Sequence, residues 1–278
     1  MLCYLNNNMT YTFSSKWADV AQKDNENSDE KSIFVNIGDV PVTQRQLDLY
    51  YYFLFIKNIL NKINAKNVLE VGCGRGTISL YIKKYLHIDM TLIDNVPDAL
   101  EIAKNEFNKH GETAEFYIED ALKANLPDNK FDATVSIGLA EHFESVNGLF
   151  KEQYRVLKDG GVMISLNIPK KFSIQFLNKI MKFIKKNILR RSVDIRKDYY
   201  RNSLSSKDYK KSALNAGFKK VEIVHVCPLP IYAPISIKTD RKVAKFNKFV
   251  LKIRSIFQKY PYKTNKLFAQ AHFLVAYK

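Results

Sequence analysis

A glycine-rich turn after a short apolar segment constrains this 278-residue chain more than any other feature. The run from Val68 to Gly76 reads VLEVGCGRG, and a helix-like run begins at Thr77. Glycine has no Cβ and tolerates positive φ, so such a turn lets the main chain lie directly against a ligand. The pattern predicts a buried strand, a tight turn and a helix start, with a ligand site over the turn.

Short apolar segments alternate with helical ones along most of the chain. Strands are predicted at 68–71, 90–93, 114–118, 133–137, 162–166, 219–224 and 272–277, and helices at 43–63, 77–85, 97–109, 146–157 and 205–215. This alternation is typical of an α/β fold with a doubly wound, mostly parallel sheet and helices on both faces. Residues 1–42 lack the pattern and are predicted to be an N-terminal arm or partial lid before a domain at 43–278.

Positive charge is concentrated in two segments of a chain whose net charge is +16. Residues 169–201 and 236–266 each carry a net charge of +9, and the rest is slightly acidic. Apolar residues recur in both at helical spacing, which predicts basic amphipathic helices inserted at about 169–204 and 232–266. In the second segment they are Val243, Phe246, Val250, Ile253 and Phe257. Such helices suit a substrate cap, an anionic membrane surface or a nucleic-acid face. The alternative is that the apolar stripes pack on the core and leave the lysines in water.

The cysteines give no sign of disulfides or of a metal site. Cys3, Cys73 and Cys227 are far apart and odd in number, which favours a reducing cytoplasm. We expect no signal peptide, because the N-terminus has no basic region followed by a long apolar stretch. The longest apolar run, at 49–56, is too short to span a bilayer. These features predict a cytoplasmic protein, with a peripheral position at the inner membrane surface as a further expectation.

Acidic residues stand where the predicted strands end. Asp94 ends the second strand, where a carboxylate can accept from both ribose hydroxyls. Glu119 and Asp120 follow the third strand, where an acceptor suits an adenine amine, and Glu70 can orient a ligand ammonium. The alternative for Asp94 and Asp120 is a structural role in a cap or turn. The glycine spacing is G-x-G-x-G and no GK[ST] follows, so the pattern favours an adenosine ligand without phosphates. Carboxylates here favour a sulfonium or an ammonium ligand over a phosphate.

The chain resembles the class I S-adenosylmethionine-dependent methyltransferases, chiefly over residues 43–167. The resemblance lies in the glycine turn, in Asp94, in the Glu119-Asp120-Ala121 segment, in the segment 131–143 that ends Glu-His-Phe, and in the turn 156–162. It implies a Rossmann-like seven-stranded sheet in the order 3-2-1-4-5-7-6 with strand 7 antiparallel, and S-adenosyl-L-methionine as cofactor. The cofactor-binding residues that it implies are Glu70, Gly72, Cys73, Gly74, Gly76, Asp94, Asn95, Asp120, Ala121, Ser136 and Ile137.

The motifs are similar to those of methyltransferases that act on quinones, glycans and other small molecules. We therefore expect methylation of a small-molecule or lipid-linked acceptor, on oxygen. His142 is the candidate general base for a hydroxyl nucleophile, and the alternative is a structural histidine at a helix start. An RNA methyltransferase that uses both basic segments to bind phosphates is a second hypothesis. A cofactor-binding module without catalysis is a third.

Overall fold

The computed structural model describes residue 17 and residues 33–37, 39, 41–169, 183, 184, 187, 200–226, 237–264, 266 and 269–278. Most of the basic insertion predicted at about 169–204 lies outside these residues. Most of residues 1–32 lie outside them too.

Seven strands form one mixed sheet in the order β3-β2-β1-β4-β5-β7-β6. The strands are β1 Asn67–Val71, β2 Asp89–Asp94, β3 Glu115–Ile118, β4 Phe131–Ile137, β5 Leu157–Asn167, β6 Lys220–Val226 and β7 Ala271–Tyr277. The first five strands pair in parallel, and β7 runs antiparallel to both β5 and β6. The predicted fold class and strand order are confirmed.

Helices cover both faces of the sheet. They are α1 Gln44–Lys62, α2 Thr77–Leu86, α3 Pro97–Lys109, α4 Asn147–Val156, α5 Ser206–Asn215 and α6 Ile237–Phe257. One buried cluster contains apolar residues of α1, α2 and α3, and a second contains those of α4 and α5. Successive strand residues serve opposite faces, so Val68 packs in the first cluster and Leu69 in the second. None of the helices in these ranges combines the length and apolarity needed to cross a bilayer.

A reciprocal cap fixes the start of α1. The Thr43 hydroxyl accepts from the Gln46 amide at 3.2 Å, and the Gln46 side-chain oxygen accepts from the Thr43 amide at 3.1 Å. These two bonds satisfy main-chain donors that the first helical turn leaves without helical partners. The helix therefore begins at Gln44, close to the predicted start.

Helix α6 packs through a face that its apolar spacing did not predict. Ala244, Asn247 and Leu251 are buried, whereas Phe246 is 60% exposed and Phe257 is 84% exposed. The alternative in which the stripe at 243–257 packs on the core is therefore wrong for this helix. The small side chain of Ala244 suits close approach to a neighbouring element.

Candidate active site

Main-chain hydrogen bonds hold the glycine turn against the end of β2. The amides of Gly72 and Cys73 both donate to the Ile93 carbonyl, at 2.9 and 3.1 Å. The buried Asp94 carboxylate adds a second connection, since one oxygen accepts from the Gly74 amide at 3.0 Å and the other from the Val96 amide at 3.1 Å. The turn and the strand end therefore form one braced unit.

At two glycines of the turn, a neighbouring side chain occupies the space that a Cβ would need. Gly72 and Gly74 have φ values of 65° and 54°, in the left-handed region. A Cβ on Gly72 would lie 2.7 Å from Leu139 Cδ1, and one on Gly74 would lie 2.6 Å from Trp17 Cζ2. Both positions therefore require glycine, and bare main chain borders the space next to the turn.

A cavity of about 910 Å³ opens over the turn and the carboxyl ends of the first strands. Its volume is in the range of small-molecule sites, which run to about 1,000 Å³. Ten of the predicted site residues line it, namely Glu70, Gly72, Cys73, Gly74, Asp94, Asn95, Asp120, Ala121, Ile137 and His142. The structure thus brings together residues that lie up to 72 positions apart in the sequence.

Two predicted site residues do not line this cavity. Ser136 is fully buried, and its hydroxyl donates to the Ser165 hydroxyl at 3.1 Å. Its neighbour Ile137 reaches the cavity instead, because successive strand residues point to opposite faces. At Gly76 a Cβ would lie 2.8 Å from Leu92 Cδ2, so this glycine lets the turn pack on the core. Ser136 and Gly76 therefore lie behind the cavity wall in this structure, and not in the wall where they were predicted.

Glu70 is a buried carboxylate at the base of the cavity. One of its oxygens accepts from the Ser79 amide at 3.1 Å and from the Ser79 hydroxyl. Burial, together with the negative charge of Asp94, raises the pKa of Glu70 to about 7 in spite of these bonds. Since both donors are neutral, Glu70 can be stabilised further by a cation.

Cys73 is a buried thiol beside this carboxylate. Burial, followed by the charges of Glu70 and Asp94, raises the pKa of the thiol well above its usual range. The thiol is therefore neutral at ordinary pH and suits a wall position better than a nucleophilic role. The part of the chain that the structure describes holds no group of three or more potential metal ligands.

The acids after β3 sit at the outer edge of the cavity. Asp120 is exposed, and one of its oxygens accepts from the Leu122 amide at 2.9 Å. Glu119 accepts from the Asn125 amide at 3.0 Å. These bonds agree with a turn role, and the position in the cavity wall is also compatible with contact to a ligand.

The His142 ring is oriented by a main-chain carbonyl. Its Nδ1 lies 2.7 Å from the Tyr200 carbonyl oxygen, which can only accept. Nδ1 therefore carries the proton, and the neutral ring presents Nε2 as its basic nitrogen. His142 and Tyr200 both line the cavity.

A buried ion pair fixes the loop that carries His142. Glu141 is 1% exposed, and its carboxylate lies 2.9 Å from an Arg201 guanidinium nitrogen. Burial raises the pKa of Glu141, while Arg201 acts in the opposite direction. The Asn202 side chain donates to the carbonyls of Ala140 and Phe143, at 3.0 and 2.9 Å. The segment at 200–202 therefore clamps the loop after β4.

Several wall residues come from parts of the chain that the motifs do not include. They are Trp17, Ile33, Arg45, Leu49 and Tyr200. Arg45 and Leu49 lie four residues apart on α1, which places them on one helix face. A lone tryptophan in a polar N-terminal segment was the available signal for Trp17. No local sequence pattern predicted that Tyr200 lines the cavity, because its position depends on the contacts of Arg201 and Asn202 with the loop after β4.

Comparisons with known proteins find similarity to methyltransferases. A family described as "Methyltransferase domain" matches residues 69–165. A sterol 24-C-methyltransferase of Gibberella zeae is 36% identical over 101 residues, which are 36% of this chain and 26% of that protein. A demethylmenaquinone methyltransferase of Leptospira interrogans is 33% identical over 121 residues, which are 41% of this chain and 48% of that protein. The chain thus spans about a quarter to a half of these relatives.

A solved structure shares the fold over nearly the whole length. It is described as a putative sarcosine dimethylglycine methyltransferase from Galdieria sulphuraria. The TM-score is 0.56 at 14% sequence identity, with 95% of this chain and 98% of that chain covered. At this identity the likeness shows the fold alone.

The clamp predicts a large stability effect at Arg201. Arg201→Ala should lower the free energy of unfolding by about 3–5 kcal/mol, because the buried Glu141 carboxylate loses its cation. Lys83→Ala is the control, since Lys83 pairs with an exposed Asp89 and should cost about 1 kcal/mol or less. Denaturant unfolding of both variants measures the difference. Equal losses would contradict the proposed role of the buried pair.

Proposed function

We propose that this chain, a class I S-adenosylmethionine-dependent methyltransferase by its fold and by the family match over residues 69–165, methylates a small-molecule or lipid-linked acceptor on oxygen. The observation that carries the proposal is the placement of the glycine turn, Glu70 and Asp94 in the wall of one cavity.

The residues present fit S-adenosylmethionine. Gly72 and Gly74 present main chain without a side chain to the cavity, and the Asp94 carboxylate can accept hydrogen bonds from ribose hydroxyls. Glu70 and Asp94 place carboxyl groups beside the turn, where an ionised carboxylate favours a cationic ligand. Ala121 and Leu122 offer an apolar surface beside Asp120 for an adenine ring.

The chemistry requires little from the protein beyond alignment. When bound, S-adenosylmethionine supplies a methyl group on a positively charged sulfur, and displacement leaves a neutral thioether. The cavity walls hold the acceptor in line and exclude water, which can account for several kcal/mol of the barrier. His142 accepts the proton of the acceptor hydroxyl at Nε2, because Nδ1 already donates to the Tyr200 carbonyl.

The apolar part of the cavity wall favours an apolar acceptor. Trp17, Ile33, Leu49, Leu139 and Phe143 line this part of the cavity. Apolar walls bind apolar groups by removing their surface from water. The names of the two relatives, a sterol methyltransferase and a demethylmenaquinone methyltransferase, are in keeping with this assignment.

Asp94→Ala should weaken the binding of S-adenosylmethionine about tenfold or more. The substitution removes the acceptor for the ribose hydroxyls and the brace on the Gly74 amide, and each lost charged hydrogen bond is worth about 1.5–3 kcal/mol. Calorimetry gives the affinity, and Trp17, the chain's single tryptophan, gives a fluorescence signal from the cavity wall.

Asp98→Ala is the matched control for this experiment. Asp98 lies in the first turn of α3 and is absent from the residues that line the cavity. It should bind the cofactor like the wild type, and melting curves should show that both variants fold. Wild-type affinity in the Asp94 variant would refute the cofactor assignment.

Glu70 predicts a pH-dependent affinity. A cationic ligand favours the ionised carboxylate, and the pKa of Glu70 is about 7 before binding. Affinity should therefore rise about tenfold from about pH 6 to about pH 8, because at the lower pH binding must first remove a proton. Glu70→Gln is the control, since it keeps the shape and shares any titration of the ligand itself. Equal pH dependence in both proteins would contradict the role of Glu70.

His142→Asn separates a base from a structural histidine. The asparagine amide can still donate to the Tyr200 carbonyl, but it offers no basic nitrogen. The acceptor is first found by incubating lipid and aqueous cell extracts with methyl-labelled S-adenosylmethionine. The variant should then methylate it about 10²–10⁴-fold more slowly and lose the acid limb of the pH–rate profile, with cofactor affinity unchanged. Wild-type rates in the variant would leave His142 a structural residue.

A further inference from the structure

Helix α6 is fixed to the domain by one face. The Asp240 carboxylate accepts from the Gln44 side chain at 2.6 Å and from the Gln44 amide at 3.2 Å. Leu251 packs with Leu47 and Tyr262 in a buried cluster. The helix is therefore held against the start of α1 in a defined orientation, and its opposite side faces outward.

The outward side carries a continuous apolar stripe. Its residues, hereafter the outer stripe, are Phe246, Phe249, Ile253, Ile256 and Phe257, and their exposed fractions run from 43% to 84%. They follow one another at intervals of three, four, three and one residues, which is the spacing of a single helix face. Large apolar side chains scattered singly on a surface need no explanation, but five on one face indicate a binding surface.

Positive charge flanks the outer stripe. Lys242, Lys245 and Lys252 are exposed, and the acid within α6, Asp240, is engaged with Gln44. An apolar stripe bordered by lysines is complementary to a bilayer with anionic headgroups, where the rings enter the acyl boundary and the ammonium groups meet phosphates.

We propose that the outer stripe of α6 docks the protein on an anionic membrane surface. Ile253 and Ile256 have no aromatic face on which a nucleic-acid base can stack, so the stripe suits hydrocarbon better than RNA. A two-fold contact with a second copy would place the same lysine-flanked surface against itself, which like-charge repulsion opposes.

Helix α1 connects the cavity to the helix that carries the docking surface. Gln44 and Leu47 of α1 contact α6, while Arg45 and Leu49 of the same helix line the cavity. A membrane bound to α6 therefore lies one helix away from the wall assigned to an apolar acceptor. This contact is tested apart from the proposed methyl transfer, because vesicle binding needs neither cofactor nor acceptor.

Flotation of the full chain with lipid vesicles tests the proposal. We expect binding to vesicles of phosphatidylcholine mixed with phosphatidylglycerol at low salt, and much weaker binding to phosphatidylcholine alone. Phe249→Ser with Phe257→Ser should weaken binding about tenfold or more, because apolar insertion is lost. Lys245→Gln with Lys252→Gln should weaken binding to the anionic vesicles by a similar factor and reduce its salt dependence.

Leu214→Ser is the matched control, since Leu214 is a 44% exposed apolar residue on α5. It should float like the wild type, and all variants should bind S-adenosylmethionine like the wild type. No flotation with anionic vesicles, or undiminished flotation of the phenylalanine variant, would overturn the proposal. It would also be overturned if vesicles fail to bind while single-stranded RNA binds, or if the phenylalanine variant merely converts a dimer to a monomer in sedimentation.

Discussion

The glycine-turn end of the cavity depends on the hydrogen bonds that join the turn to the end of β2. The Ile93 carbonyl accepts hydrogen bonds from two amides of the turn. The side chain of the next residue, Asp94, accepts a hydrogen bond from a third amide. Since β1 and β2 are adjacent parallel strands, these bonds connect two carboxyl ends that the sheet already holds side by side. Asp94 thus has a structural role and a proposed ligand role at once, so we expect its removal to affect the turn as well as ligand binding.

The sequence specified the fold well because the elements near the turn are local and strongly patterned. Helix α3 begins and ends at the predicted residues, and α1 differs from its prediction by one residue at each end. Strand β5 begins five residues earlier than predicted, at Leu157, because Phe131 of β4 pairs with Leu157 before the register shifts near Gly161. Apolar residues predict the buried part of a strand. The polar residues 158–161 gave no such signal, so the start of β5 was not predicted.

The site was less predictable where it depends on the direction of a side chain or on residues far away in the sequence. A motif names Ser136 and Ile137 together, but strand geometry sends only Ile137 to the cavity. The clamp on the loop after β4 is formed by Arg201 and Asn202, about 60 residues downstream. No local sequence pattern predicts contacts over that separation. For α6 the periodicity correctly identified an apolar stripe, but it gave no reason to expect that Ala244 and Asn247 would face inward instead. The assumption that the most apolar face of a helix is its buried face therefore fails for α6, where that face is exposed.

The two buried glutamates near the cavity differ in whether the protein provides a positive charge beside them. Glu141 has a guanidinium at 2.9 Å, so its charge is compensated inside the protein and the pair can fix a loop. Glu70 is held by the amide and hydroxyl of Ser79, which are neutral donors, and its pKa is raised to about 7. A cationic ligand would stabilise the ionised form of such a carboxylate, because the protein itself places only neutral donors against it. The negative charges of Glu70 and Asp94 are thus in keeping with the cationic ligand proposed for this site.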